Sequence, residues 1–434
     1  MNRLMKIVVT GFMLVSAAQA ATAFCGFYVA SGDAKLFNQA STVVMVRDEN
    51  RTVLTMSNDY KGDPEAFALV VPVPVVLTED QIRITEQKYL THLESYSAPR
   101  LVQYYDGNPC PSLRTRISRW LSDFRFRLSR DQESAAGGGL GQQSLGVTVE
   151  AQYTVGEYEI VILSAEQSDG LETWLRINQY RIPEGASEVL AEYIEQGMRF
   201  FVARVDLAEQ SRLGYNMLRP IQISFESDEF MLPIRLGMVN ADGPQELFVL
   251  TLTRGGRVET TNYATVPVET DILVPEFVEH EFPEFYRALF TKQLSREEGR
   301  AVILEYAWDL AWCDPCAGEP VSTEELRELG VWWLEEDDWP EAAITRLHLR
   351  YDADHFPEDL TLEITENYDT FQGRYIIRRP WTGSTRCRAG REYIEALARR
   401  QQNAATNLAE ATGWDIDEIR AKMELEPPES DVQG

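Results

Sequence analysis

The sequence predicts an α+β protein: a mixed, strand-rich body of several domains with short helices and a helical C-terminal region. Three observations lead there. β-Branched and aromatic runs bounded by turn residues recur from Thr42 to Ile364. Stretches with helical spacing interrupt them, as at 85–96 and 186–196. From Arg391 to Met423 the composition turns helical, broken at Gly413. A chain of 434 residues predicts two or three domains, and its 44% hydrophobic content suffices for their cores.

Arg3 and Lys6 precede an apolar stretch from Ile7 to Ala18 and small residues around Ala20, the pattern of a secretory signal peptide. The bulky Phe24 before Cys25 argues against a lipid anchor. Once the signal is removed, no stretch approaches the ~20 apolar residues of a membrane span, so no transmembrane segment is expected. The product is expected to be exported, to the periplasm or beyond the cell. The formal charge of -28 repels phosphate backbones and anionic lipid, which excludes a nucleic-acid partner and a polybasic membrane mode. High acidity is read first as solubility, with calcium or a cationic partner as the lesser reading.

In chain order, Thr42–Arg47 and Thr52–Met56 flank Asp48-Glu49-Asn50-Arg51 and read as a hairpin. The strand beginning at Phe67 must end, bulge or lie at an edge near Pro72 and Pro74, which have no N–H to donate. Thr85 to Tyr96 is helical, with Tyr89, Leu90, Leu93 and Tyr96 on one side. Six arginines between Arg114 and Arg130, set among aromatic residues, are read as an insertion pairing with the protein's own carboxylates, ahead of a docking patch. Strands at 147–153, 158–163 and 199–205 enclose helices at 171–180 and 186–196, the second stopped by Gly197. Further strands are expected at 221–225, 234–238, 247–252, 272–274, 347–351 and 360–364. Ser322 and Glu325 have capping-box spacing. Trp332, Trp333 and Trp339 surround Glu335-Glu336-Asp337-Asp338 and are read as core rings beside a solvated loop, ahead of a sugar or cation platform. The breaks suggest a signal peptide (1–23), an N-terminal α+β domain (24–133), a Gly-rich loop (134–146), a central α+β domain (147–290), a Cys/Trp-containing C-terminal region ending in helices (291–424) and a disordered tail (425–434).

The strings Phe24-Cys25-Gly26-Phe27-Tyr28-Val29, Ser57-Asn58-Asp59-Tyr60-Lys61-Gly62, Val70-Val71-Pro72-Val73-Pro74 and Ser95-Tyr96-Ser97-Ala98-Pro99-Arg100-Leu101 resemble a family of exported bacterial proteins catalogued as a domain of unknown function (DUF2330). The resemblance runs over nearly the whole mature chain, including Trp312 to Cys316 and the segment around Trp381 and Cys387. It implies export and an α+β body, and supplies no activity and no catalytic residues.

The one motif with chemistry in it is Trp312-Cys313-Asp314-Pro315-Cys316, which follows an apolar run from Ala301 to Trp308 and looks like the active site of the thioredoxin group. In that reading Cys313 is the nucleophile and Cys316 the resolving thiol. Such a nucleophile needs a lowered pKa, commonly from a helix N-terminus. Here Asp314 places a negative charge beside the thiols, and helix signals resume only near Ser322. A structural role is the leading reading. Cys25, Cys110, Cys313, Cys316 and Cys387 are all disulfide candidates; being five, they close at most two bonds. Cys25 with Cys110 is expected, with Cys313 bonded to Cys316 or one of those two reaching Cys387.

No metal or other cofactor is expected. His92, His280, His348 and His355 supply no second pair for zinc, and Asp352, Asp354 and Asp359 lack the glycine and terminal glutamate of an EF-hand. Nucleotide-binding and serine-hydrolase strings are missing as well. The sequence thus predicts an exported envelope protein that binds or scaffolds an unidentified envelope partner without catalysis, with a thiol-disulfide oxidoreductase as the alternative.

Overall fold

The computed structural model describes residues 27–31, 41–58, 67–110, 149–164, 168–178, 180–181, 185–206, 212, 218–239, 241, 243–315, 318–336 and 338–425. The signal peptide, the arginine-rich segment, the Gly-rich loop, Cys25, Cys316 and the tail from 426 lie outside them.

Two sheets pack face to face between layers of helix, an α+β architecture. The first is six-stranded and antiparallel, in the order Val149–Val155, Tyr158–Ser164, Arg199–Val205, Phe67–Val73, Phe27–Ser31 and Tyr180–Arg181. The second has nine strands and is mixed. Its order is Ala264–Pro267, Ala301–Asp309, Ala343–Tyr351, Gln245–Thr253, Ser41–Asp48, Arg51–Asn58, Ile221–Glu226 and Ile82–Ile84, with Phe371–Gln372 beside Ala301–Asp309. This sheet takes strands from the N-terminal, central and C-terminal stretches of the chain, so residues far apart in sequence share one core.

The alternation of side chains along each strand sorts the cores. Val43, Met45, Leu247, Val249, Leu347 and Leu349 face the other sheet, where they meet Leu69, Val71, Ile160 and Phe201. Val44, Val46, Leu250 and Ile344 face outward, onto helix Gln87–Ser97 and helix Thr323–Glu328. Helices Ser168–Ile177 and Ala186–Glu195 cover the outer face of the six-stranded sheet. At the far end of the large sheet, helices Phe282–Arg296, Arg388–Thr412 and Ile416–Lys422 close a further core with a small parallel sheet of Ile272–Leu273, Arg374–Arg379 and Arg100–Tyr105. Strands buried on both faces explain why their sequences read as continuous apolar runs.

The local signals hold where they have a local cause. Asp48 pairs with Arg51 across a two-residue turn in which Glu49 has φ 52°, the left-handed geometry of tight hairpins. The Phe67 strand stops at Val73, which leaves Pro74 outside it, while Pro72 lies within it opposite Phe200. Tyr89, Leu90, Leu93 and Tyr96 are buried on one face of their helix. Gly197, at φ 77°, ends the Ala186–Glu195 helix, and Ser322 and Glu325 form the capping box.

Two helices stand among the elements that differ from the sequence reading, as do the strands Arg100–Tyr105 and Arg374–Arg379, for which none was predicted. The stretch 234–238, expected as a strand, is the short helix Arg235–Val239. Asp359 accepts from the Ile234 and Arg235 N–H groups at 2.8 and 3.1 Å, so a carboxylate 125 residues away satisfies the helix start. The helix Phe282–Arg296 stands in a stretch for which no element was predicted.

Candidate functional site

Among the described residues polar or reactive side chains gather in several places, three of which could carry function. The first is the turn after strand Ala301–Asp309. Asp309 accepts from the Trp312 N–H through its carbonyl at 3.0 Å, and its carboxylate accepts from the Ala311 N–H at the same distance. The Trp308 indole donates to the Trp312 carbonyl and the Trp339 indole to the Ala311 carbonyl, both at 2.9 Å. Asp314 turns inward and is buried, where Tyr306 donates to it at 3.0 Å and Gln372 at 2.6 Å. Cys313 is left as a free, exposed thiol beside the exposed Trp312. The next helix among the described residues begins ten residues on, at Thr323, so it does not start at Cys313. Trp332 and Trp333 pack partly against the core under the guanidinium groups of Arg51 and Arg254, while Trp339 is 67% exposed.

The second place is a buried ionic cluster under helix Phe282–Arg296. Glu305, at the β-bulge of its strand, accepts from Arg346 Nε and His348 Nδ1 at 2.6 Å each and from the Tyr286 hydroxyl. The His348 ring lies between Phe248 and Phe290, at 4.2 and 3.8 Å between centroids. Arg350 donates to Glu246, whose other carboxylate oxygen lies 3.7 Å from His348 Nε2. Burial works against the Glu305 charge, but His348 and Arg346 outweigh it and hold the carboxyl down at about 2. Burial likewise opposes the His348 charge, and Glu305 and Glu246 together raise its pKa above the usual 6.5. No solvent reaches the pair: Glu305 is 0% and His348 3% exposed.

The third place was missed in the sequence. Asp106 follows strand Arg100–Tyr105, and its N–H extends the ladder to the Arg379 carbonyl at 2.9 Å. Its carboxylate accepts from Arg378 at 2.8 Å, from Arg400 through two nitrogens, and from Tyr393 at 2.8 Å. Burial would raise its pKa, but bonds from Arg400, Tyr393 and Arg378 bring it to about 2. Four residues on, Cys110 is bonded to Cys387, closing a sequence separation of 277. Cys387 caps the helix Arg388–Thr412, its sulfur accepting from the Gly390 N–H at 3.1 Å.

This bond corrects the expected pairings: Cys110 joins Cys387 rather than Cys25, and Cys387 joins neither Cys313 nor Cys316. The reason is topological. Strand Arg100–Tyr105 runs parallel to Arg374–Arg379 in full register, so the residues just past each strand arrive at the same end of the sheet.

Beside this fastening lies a cavity of about 300 Å³, at the lower end of the range for small-molecule pockets. Val274, Phe277, Leu397 and Met423 give it apolar surface, and Arg378, Arg400 and Lys422 also line it. Lys422 donates to Glu281 at 2.6 and 2.7 Å and lies over the Phe277 ring. Glu276 reaches the cavity too, but it is held by Arg379 at 2.8 Å. The signal for this site was present as Arg378, Arg400 and Lys422 in an acidic chain, but no spacing in the sequence brings them to Asp106.

Fold and site together define an α+β protein of two packed sheets whose C-terminal helices are fastened by a disulfide beside a cation-lined cavity. A family model described as an uncharacterized protein conserved in bacteria (DUF2330) matches residues 19–363, and the chain belongs to this family. The match ends before Trp381 and Cys387, so it does not extend to the segment that was expected to share the resemblance. The Arg378, Arg400 and Lys422 wall lies beyond it as well. No curated protein and no solved structure matches the chain.

Proposed function

We propose that the protein is exported and works in the bacterial envelope as a non-catalytic binding protein, with the cavity under the C-terminal helices as its binding site. The observation that carries the reading is that cavity: apolar and basic side chains line it together, with no histidine, cysteine or serine among the described residues that do so. Such a surface holds a ligand and offers no nucleophile with a base beside it. Export is supported by the leader-like N-terminus and by a long-range disulfide, a bond that persists in oxidising compartments. The test is to isolate the protein from its native host, fractionate the cell, and examine the folded protein by native mass spectrometry. Recovery outside the cytoplasm with a bound small-molecule mass supports the reading; a cytoplasmic, ligand-free protein contradicts it.

A second reading rests on the exposure of Cys313. A thiol held on an anchored turn beside Trp312 is open to a disulfide substrate, and Cys316 would then resolve the mixed disulfide. It predicts that a protein disulfide is reduced to two thiols as Cys313 and Cys316 are oxidised to a disulfide, which an added dithiol reductant then returns to thiols, and that this turnover disappears in Cys313→Ser.

A further inference from the structure

We propose that the cavity takes a small amphiphile with an anionic head, a carboxylate or a phosphate, on an apolar body. This rests on the reading of the cavity as a binding site and adds the chemical class of its ligand. The argument begins with the charge count at Asp106. One carboxylate there faces two guanidinium groups, so the cluster carries a surplus positive charge beside the cavity. Arg378 spends only its Nε on Asp106; its two terminal nitrogens have no partner among the described residues, and half the side chain is open to solvent. A planar guanidinium with both terminal nitrogens available matches the two oxygens of a carboxylate or phosphate.

The other charges at the cavity are already paired. Lys422 is taken by Glu281, and Glu276 by Arg379, which also holds Glu279. Arg379 faces two carboxylates as Asp106 faces two guanidinium groups, so the formal charges around the cavity balance, and the open terminal nitrogens of Arg378 are the donors left for a ligand to meet. Val274, Phe277, Leu397 and Met423 add apolar surface to the same lining, which suits a hydrocarbon or aromatic body. The volume of about 300 Å³ suits a body the size of a short chain or a single ring system. The disulfide and the Asp106 bonds hold the Arg400-bearing helix in place, so the head-group site is formed before the ligand arrives.

The test is calorimetric titration of the full mature protein, disulfide intact, with octanoate, octyl phosphate, octanol and octylammonium. The expected result is binding of octanoate or octyl phosphate at least about tenfold tighter than octanol, with octylammonium weakest. The stronger of the two anions identifies the head. Arg378→Gln, at a half-exposed side chain whose loss leaves Asp106 bonded to Arg400 and Tyr393, should weaken the anion about tenfold and leave octanol unchanged. Gln401→Trp should block every ligand by filling the cavity without removing a charge. Octanol or octylammonium binding as tightly as the anions overturns the ligand class while sparing the binding site. An Arg378→Gln protein with full affinity and an unchanged melting temperature overturns the role given to Arg378. No binding of any probe, together with no bound mass on native protein, overturns both the class and the binding-protein reading.

Discussion

Glu305 and Asp106 are each a carboxylate held by two basic side chains and a tyrosine hydroxyl, and each has its pKa drawn down to about 2. Their surroundings differ. Arg346 and His348 are sealed beneath a helix, with 8% and 4% of their side chains exposed, whereas Arg378 and Arg400 keep 53% and 21% and line a cavity. The same constellation therefore serves two ends. Inside the sheet it fixes how helix Phe282–Arg296 sits on strands, because Glu305, Arg346 and His348 are all enclosed. At the rim it positions cations without neutralising them.

The comparison is most easily broken by removing each carboxylate. Glu305→Ala leaves a buried guanidinium and imidazole without their acceptor and should cost about 3–5 kcal/mol in urea unfolding, the usual penalty for stranding a buried charge. Asp106→Ala should cost less, on the order of 1–3 kcal/mol, because water reaches its partners. Equal losses would erase the distinction. Replacing Cys110 and Cys387 by serine together should lower stability by about 2–4 kcal/mol, as expected for opening a long covalent loop, while the urea midpoint of Glu305→Ala falls further.

The pH profile separates the clusters at its two ends. Both carboxyls lie below their ordinary values, so the stability they confer is present above about pH 4.5 and is lost as the pH falls toward about 2. On the other side only the Glu305 cluster contains an imidazole. His348 is raised above 6.5, so its contribution is complete below that pH and disappears as the pH rises through the folded value. Melting temperatures should therefore decline on the alkaline side in wild type and not in His348→Gln. The smallest effect is expected at Cys313→Ser, whose thiol is exposed and unbonded: stability within about 0.5 kcal/mol of wild type, and fast alkylation of native protein at that residue only in the parent.

Much of this was legible where local physics decides. The Asp48–Arg51 turn, the Ser322 capping box, and the Gly197 and Gly413 helix stops all follow from short-range rules, and each stands in the structure. Helix Phe282–Arg296 was readable too: Phe285, Leu289, Phe290, Gln293 and Leu294 recur at helical spacing, and all five are buried. Tertiary acceptors were not readable. Asp359 makes a helix of 235–239, and nothing near residue 235 announces it. Glu305 stands inside an apolar run as a lone acid, a sign of burial with partners, but Arg346 and His348 come from the neighbouring strand. The cysteine motif drew attention to residue 313 by its spacing alone. The parallel pairing that carries Asp106 and Cys110 to the C-terminal helix joins segments more than 270 residues apart.

The account stands on the C-terminal helix being fastened to the Asp106 segment so that a basic wall faces the cavity. Peptide mapping of unreduced protein, alkylated as it is released from its native compartment, tests this most directly. It should yield a linked pair of peptides containing Cys110 and Cys387, with Cys313 alkylated. Cys387 recovered as an alkylated thiol, or linked to Cys313, Cys316 or Cys25, would contradict it.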